Sequence, residues 1–203
     1  MTGGWLVVLA AYLLGSIPTG YLLGRWLKGI DIRTVGSGNV GATNVFRSVG
    51  KTAGIATLFI DIAKGVLSVG IALVVCGGDF WPLLAGVAAV GGHSWSVWVK
   101  FRGGKGVATS AGVFLALLPG PMGVALLVFL GAFLLSRRVS VGSILAAASL
   151  PVAAGVLGSS TPRWGLAVVI SVVVILRHAP NIRRLRRGQE PPLLFTSKKG
   201  TSS

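Results

Sequence analysis

The sequence predicts an all-α fold: a polytopic membrane helix bundle of about seven transmembrane helices, with the N-terminus outside and the C-terminus cytoplasmic. Three observations lead there. Hydrophobic residues make up 53% of the 203-residue chain, mean hydropathy is +0.82 and only 11% of residues are charged, a composition wrong for a water-soluble domain. The apolar residues gather in long runs, and lipid offers no partner for free backbone groups, so these runs must be helices and not strands. Basic residues crowd into alternate loops. A net charge of +15 and a pI of about 11.7 would also suit a nucleic-acid binder, but no soluble basic domain is present; membrane lipids, not nucleic acid, are the expected partners.

The runs cover 5–27, 53–76, 81–99, 107–118, 122–135, 139–157 and 164–176. The first has no basic segment before it and no convincing small-residue cleavage site, and reads as a retained anchor. The second carries Asp61 and Lys64 and ends at Cys76, a packing residue with no partner for an intrachain disulfide. The third closes on Gly91-Gly92-His93-Ser94. The fourth and fifth fall below the roughly 20 helical residues that a bilayer core needs, and Leu118-Pro119-Gly120-Pro121 between them must turn tightly. Of the 19 Lys and Arg residues, only Lys64 and Arg163 lie outside the first, third and fifth loops and the C-terminal stretch. The positive-inside rule puts that side in the cytoplasm. An integral membrane domain over 1–182 and a basic cytoplasmic tail over 183–203 follow. The tail's Arg183, Arg184, Arg186 and Arg187 serve as a topology signal or dock on anionic lipid, at about 1 kcal/mol per residue.

Two glycine-rich loops on the basic face carry the candidate chemistry. The first holds Gly36, Ser37, Gly38, Asn39, Gly41, Thr43, Asn44 and Arg47; the other holds Gly103, Gly104, Lys105 and Gly106. Glycine lets a ligand approach backbone N–H groups, and with Arg and Lys beside them such loops suit a phosphate. Topology alone asks for cations and not for this density of glycine, serine and asparagine. The stretch 36–41 matches G-x-G-x-x-G, but no strand precedes it and Asp61 is inside an apolar run, so a dinucleotide fold is excluded. Gly50-Lys51-Thr52 resembles the end of a P-loop, yet Val45 stands where that pattern needs glycine. No cofactor is expected. Two histidines far apart, with few carboxylates, give no metal site.

Asp61 and Lys64 lie three apart on one helical face within a span, where ionisable groups are costly unless they pair or face a cavity. A structural ion pair supporting the first loop is the simpler account, and direct substrate contact is the alternative. His178 is the more promising histidine, because Asn181 follows at i+3 and Arg177 adjoins it at the end of the last run.

Taken in order, Gly15-Ser16-Ile17-Pro18, the stretch 36–44, Asp61-Ile62-Ala63-Lys64-Gly65, the stretch 100–109 and His178-x-x-Asn181 resemble the PlsY family of acyl-phosphate:glycerol-3-phosphate acyltransferases. Val40 departs from the family pattern, where many members carry proline. The resemblance implies transfer of a fatty acyl group from acyl phosphate to glycerol 3-phosphate. The products would be lysophosphatidic acid and phosphate, the first step of phospholipid synthesis, made at the cytoplasmic face of a bacterial inner membrane. It implies catalytic roles for Ser37, Arg47, Lys105, His178 and Asn181. Arg47, Lys105 and the backbone of 37–39 would hold phosphates, while Ser143, His178 and Asn181 orient glycerol 3-phosphate.

The chain lacks the His-x-x-x-x-Asp arrangement of thioester-dependent acyltransferases. A mixed anhydride has a good leaving group, so direct attack by the acceptor hydroxyl suffices, aided by positioning and charge neutralisation. The proton goes to His178 or to an oxygen of the donor phosphate. A transporter of a phosphorylated solute is the competing class. Beyond Asp61 and Lys64, however, the spans offer no polar route through the membrane.

Overall fold

The computed structural model describes residues 2–193, and among them every regular element is helical. Ten α-helices follow one another: α1 Thr2–Ser16, α2 Thr19–Lys28, α3 Ala42–Ser48, α4 Lys51–Cys76, α5 Phe80–Ser94, α6 Val107–Leu117, α7 Pro119–Ser136, α8 Val139–Val156, α9 Thr161–Arg177 and α10 Ala179–Arg186. The apolar runs of the sequence are helical apart from breaks at residues 17–18 and 95–96. Four helical segments are long and apolar enough to cross a membrane by themselves, or five if α9 and α10, bent by 54° at their junction, form one span. The 15 residues of α5 and the 11 of α6 are fewer.

Breaks fall where the backbone demands them. Pro18 lacks an N–H and stands between α1 and α2 without ending the apolar segment. Gly29, at φ 65°, closes α2 by turning left-handed, and its N–H and that of Ile30 take the carbonyls of Arg25 and Gly24. Only Leu118 separates α6 from α7. The Pro119-Gly120-Pro121 triplet is therefore itself the first turn of α7, which lengthens the fifth run to 18 residues.

Two crossings bring backbones into contact. Gly15 of α1 lies on the Ala89 backbone while Gly92 of α5 lies on that of Tyr12; Gly65 of α4 and Gly112 of α6 meet Thr109 and Ile62 in the same way. A methyl group at any of these four glycines would overlap main-chain atoms, so these small residues set the interhelical distance. Val69, Val90, Val113, Phe114, Leu150, Ile170 and Val174 fill the main core. Outside it, Val74, Leu127, Leu135 and Val156 are each more than two-thirds exposed, a surface made for lipid. At the end where α4–α5 and α8–α9 connect, Asp79 pairs with Arg163 at 2.6 Å. The remaining polar groups concentrate at the other end.

Candidate active site

A cavity of about 530 Å³ opens at that polar end, walled by α3, the start of α6, the start of α8, the α9–α10 junction and residues 189–191. Its first wall is the loop before α3. Gly36 (φ 58°) and Gly38 (φ 69°) take left-handed turns that side chains disfavour. The fully buried Asn44 holds the turns together. Its Oδ1 accepts from Ser37 N at 3.0 Å, and its Nδ2 donates to the carbonyls of Ile32, Val35 and Asn39. The N–H of Gly38 donates to Val35 O, and that of Gly41 to Asn39 Oδ1. This corrects the expected backbone cradle: the N–H groups of Ser37, Gly38 and Gly41 are committed to building the loop. Asn44 is the scaffold of this loop and also part of the cavity lining. Ser37, Thr43 and Arg47 line the cavity, with Gly36, Asn39 and Gly41.

The second loop is positioned by different means. Gly104 N donates to His93 O at 3.0 Å, and a side chain on Gly103 or Gly104 would collide with His93. Arg177, at the end of α9, donates to the carbonyls of Ser94, Gly103 and Gly104, and its guanidinium lies over the Trp95 ring. Gly103 and Gly104 therefore back the wall and do not line it, another departure from the expected anion cradle. What they deliver is Lys105. Burial, with help from Arg184, Arg47 and Arg177 and opposed by Glu190, brings its ammonium down to about 8. Among the described residues no carboxylate is within ion-pair distance of Lys105.

At the α9–α10 junction, His178 Nδ1 lies 2.8 Å from Val174 O. A carbonyl only accepts, so Nδ1 carries the proton and Nε2 holds a lone pair. Burial and the nearby Lys105 depress the ring to about 4, so it is neutral near pH 7. Asn181, one turn on, is buried with Nδ2 donating to Glu190 Oε1 at 2.6 Å. Ser143 donates to Val139 O at 2.9 Å, which leaves its oxygen lone pairs for a ligand.

Residues 187–193 then fold back over the cavity as a strap. Glu190 is buried; its Oε1 also accepts from Ser140 Oγ at 2.8 Å and its Oε2 from Arg184 Nε at 2.7 Å. Burial would raise its carboxyl, but the hydrogen bonds from Asn181, Ser140 and Arg184 outweigh it and hold the group below its ordinary value. Arg47 donates to the carbonyls of Pro191 and Pro192, Arg138 to that of Glu190, and Leu193 N to Arg137 O. The boundary expected between 182 and 183 falls inside α10, and the described part of the tail joins the site; residues 194–203 lie outside the described residues.

Beneath the cavity, Lys64 Nζ pairs with Asp61 Oδ1 at 2.9 Å, with both side chains almost fully buried. Thr19 Oγ1 donates to the same carboxylate, and Lys64 donates to Ile17 O. The pair thus braces the α1–α2 break at Pro18 and not the glycine loop, although Asp61 also reaches the cavity wall. Sharing Leu58, Val107, Ala108, Phe129 and Ser143 with the main cavity, a second one of about 220 Å³ runs into the bundle between Phe114, Met122, Leu150 and Ile170. Its lining is almost wholly apolar.

The structure thus gathers Ser37, Arg47, Lys105, Gly106, Ser143, His178 and Asn181 around one space. It leaves Gly38, Gly103, Gly104 and Lys64 behind the walls, and adds Ser140, Arg184 and Glu190. Ser140 and Arg184 sit beside recognised motifs, whereas Glu190 had no local signal. Among the described residues no group of three or more His, Cys, Asp or Glu could hold a metal ion.

A family model described as "Glycerol-3-phosphate acyltransferase" matches residues 5–188. A glycerol-3-phosphate acyltransferase from Synechococcus sp. (strain CC9902) is 48% identical over 92% of this chain and 93% of its own. One from Geobacter sulfurreducens is 46% identical over 91% and 95%. The crystal structure of PlsY (YgiH), an integral membrane glycerol 3-phosphate acyltransferase in its glycerol 3-phosphate form, superposes with a TM-score of 0.90 at 42% identity, covering 95% of this chain and 96% of that one. The lysophosphatidic acid form gives 0.87 at 41% identity over the same shares.

Proposed function

Since the chain belongs to the glycerol-3-phosphate acyltransferase family and is an integral membrane protein of the PlsY type, we propose that its acyl donor is an acyl phosphate and its products are lysophosphatidic acid and inorganic phosphate. The observation that carries this reading is the junction of the two cavities. Arg47, Lys105 and Arg184 line the polar chamber, and an apolar cavity leads from it past Leu58 and Phe129. A donor with an anionic head and a fatty tail matches that pair of environments, and a second phosphate on the acceptor matches the surplus of cations. The glycerol 3-phosphate and lysophosphatidic acid forms of PlsY are in keeping with both ends of the reaction.

In the proposed step a terminal hydroxyl oxygen of glycerol 3-phosphate attacks the acyl carbon. The bond from that carbon to the phosphate oxygen breaks, and phosphate departs with its charge offset by Lys105 and Arg47. The hydroxyl proton passes to a phosphate oxygen. His178 is a poor base at about 4, whereas the departing phosphate gains basicity as the anhydride bond breaks. Neutral His178 instead offers Nε2 as a hydrogen-bond acceptor. Ser143 offers its oxygen in the same way, and Ser37 lines the opposite wall.

The crowding of basic residues on the loops that carry the site supports a seven-span arrangement, with an outside N-terminus and the site on the cytoplasmic face of a bacterial inner membrane. The test is phosphate release by lipid-embedded protein given acyl phosphate, with and without glycerol 3-phosphate, while lysophosphatidic acid is followed. Release that requires the acceptor and equals lipid formed is expected. Absence of product, alongside turnover of an acyl thioester, would overturn the choice of donor.

A further inference from the structure

The strap places one buried carboxylate where the resemblance had assigned nothing. When ionised, Glu190 can only accept hydrogen bonds. Oxygen and nitrogen of an Asn side chain are told apart by their partners, and beside this carboxylate the Asn181 amide has one permitted orientation, Nδ2 toward Glu190. Asn181 lines the cavity, and its Oδ1 is then buried with no hydrogen-bond partner among the described residues. A buried acceptor left without a donor is unfavourable unless a ligand supplies one. Phosphate oxygens near neutral pH are acceptors and cannot do so. Of the substrates in the reading above, on which this inference rests, only glycerol 3-phosphate brings donors, in its two hydroxyls.

We propose that Glu190 is a positioning residue: by fixing the Asn181 amide it presents Oδ1 to a hydroxyl of glycerol 3-phosphate, so that the strap enforces recognition of a polyol phosphate over a plain alkyl phosphate. Glu190 touches no reacting atom in this scheme. Ser140 donates to the same Oε1 as Asn181, Arg184 holds Oε2, and Arg138 holds the Glu190 backbone. A neutral glutamine at 190 could offer either end of its own amide, so Asn181 would no longer be locked.

The experiment measures affinities of the full-length protein in lipid nanodiscs for glycerol 3-phosphate and for propyl phosphate, which lacks both hydroxyls. Wild type is expected to prefer glycerol 3-phosphate by at least about tenfold, the size of one well-made hydrogen bond. Glu190→Gln should lose most of that preference by weakening glycerol 3-phosphate alone, with propyl phosphate within about twofold of wild type. Glu190→Asp, which keeps an acceptor-only group, should retain part of it. In the double variant Asn181→Asp/Glu190→Gln the donor and acceptor change places, and the preference should return relative to Asn181→Asp alone. Equal weakening of both ligands by Glu190→Gln, or no change in either, would overturn the proposal and leave Glu190 as wall or phosphate support. Wild type that binds the two ligands equally would instead sink the assignment of glycerol 3-phosphate to this cavity.

Discussion

The loop over 29–41 and the strap over 187–193 face each other across the cavity and are built on opposite principles. The loop is held from within, because Asn44 reaches backbone groups only 5 to 12 residues away. The strap is held from without: its partners Arg47, Arg138 and Ser140 are distant in sequence, the first by 144 residues. The loop's hydrogen bonds are therefore local, although Ile32 and Val40 pack on Tyr21, Val45 and Ala53, whereas the strap forms only after α3, α8 and α10 have assembled. A borrowed wall can be lost without unfolding the bundle.

Lys105→Ala sets the ceiling against which both walls are judged, since this cation faces the space between them. Turnover should fall by about 10³-fold, the effect of removing a charge-stabilising donor from a desolvated site, while thermal unfolding in detergent stays close to wild type. Substantial residual turnover in a phosphate-release assay would remove Lys105 from contact with substrate.

Asn44→Ala comes next and strikes the self-made wall. It takes the acceptor from Ser37 N and the donors from three carbonyls, leaving buried groups unpaired at a combined cost of about 2–4 kcal/mol. Activity and melting temperature should fall together. Activity lost at unchanged melting temperature would mean that Asn44 contacts substrate after all.

A chain ending after Gly188 strikes the borrowed wall. It removes Glu190 and frees Arg47 and Arg138 from their strap carbonyls, so turnover should drop roughly 10–100-fold through lost positioning. The melting temperature should move by only a few degrees, because among the described residues removed only the marginal Leu193 belongs to the core. A truncated protein that melts as far below wild type as Asn44→Ala would erase the distinction between the two walls.

The same contrast explains what was legible beforehand. Helix content and the apolar runs followed from composition, since lipid permits little else. Gly36, Gly38 and Asn44 stood out because a turn with left-handed residues needs particular side chains at short range. Gly36 and Asn44 line the cavity, but the pattern does not say that the loop's N–H groups are already taken by Val35, Asn39 and Asn44. Gly103 and Gly104 likewise reported close approach, to His93 and not to a phosphate. Glu190 was invisible because its meaning comes from Asn181, Ser140 and Arg184 converging in three dimensions, with no periodicity or motif around it. The α1–α2 break shows the same limit, as Asp61 and Lys64 advertised an ion pair but not that Ile17 and Thr19 would share it.

The smallest predicted effect separates the walls by pH. The loop's hub, Asn44, does not titrate, and Asp31 beside it is held at about 2 by hydrogen bonds from Arg33, so the loop keeps its form through the mildly acidic range. The strap depends on ionised Glu190, whose carboxyl is depressed in the folded protein. A depressed acid stabilises above its unfolded value of about 4.3, and the contribution disappears as pH falls through the folded value. Strap release is thus an acid-side event, below the range in which the enzyme would be assayed. On the alkaline side Lys105, at about 8, loses its charge as pH rises, and turnover should decline through that value. His178, at about 4, is neutral across the whole interval and should contribute no limb between pH 5 and 8. Rate profiles of wild type and His178→Ala should therefore differ in height and not in shape. A limb near pH 6.5 that vanished in the variant would restore His178 as the base and show that burial and Lys105 depress its ring far less than their placement indicates.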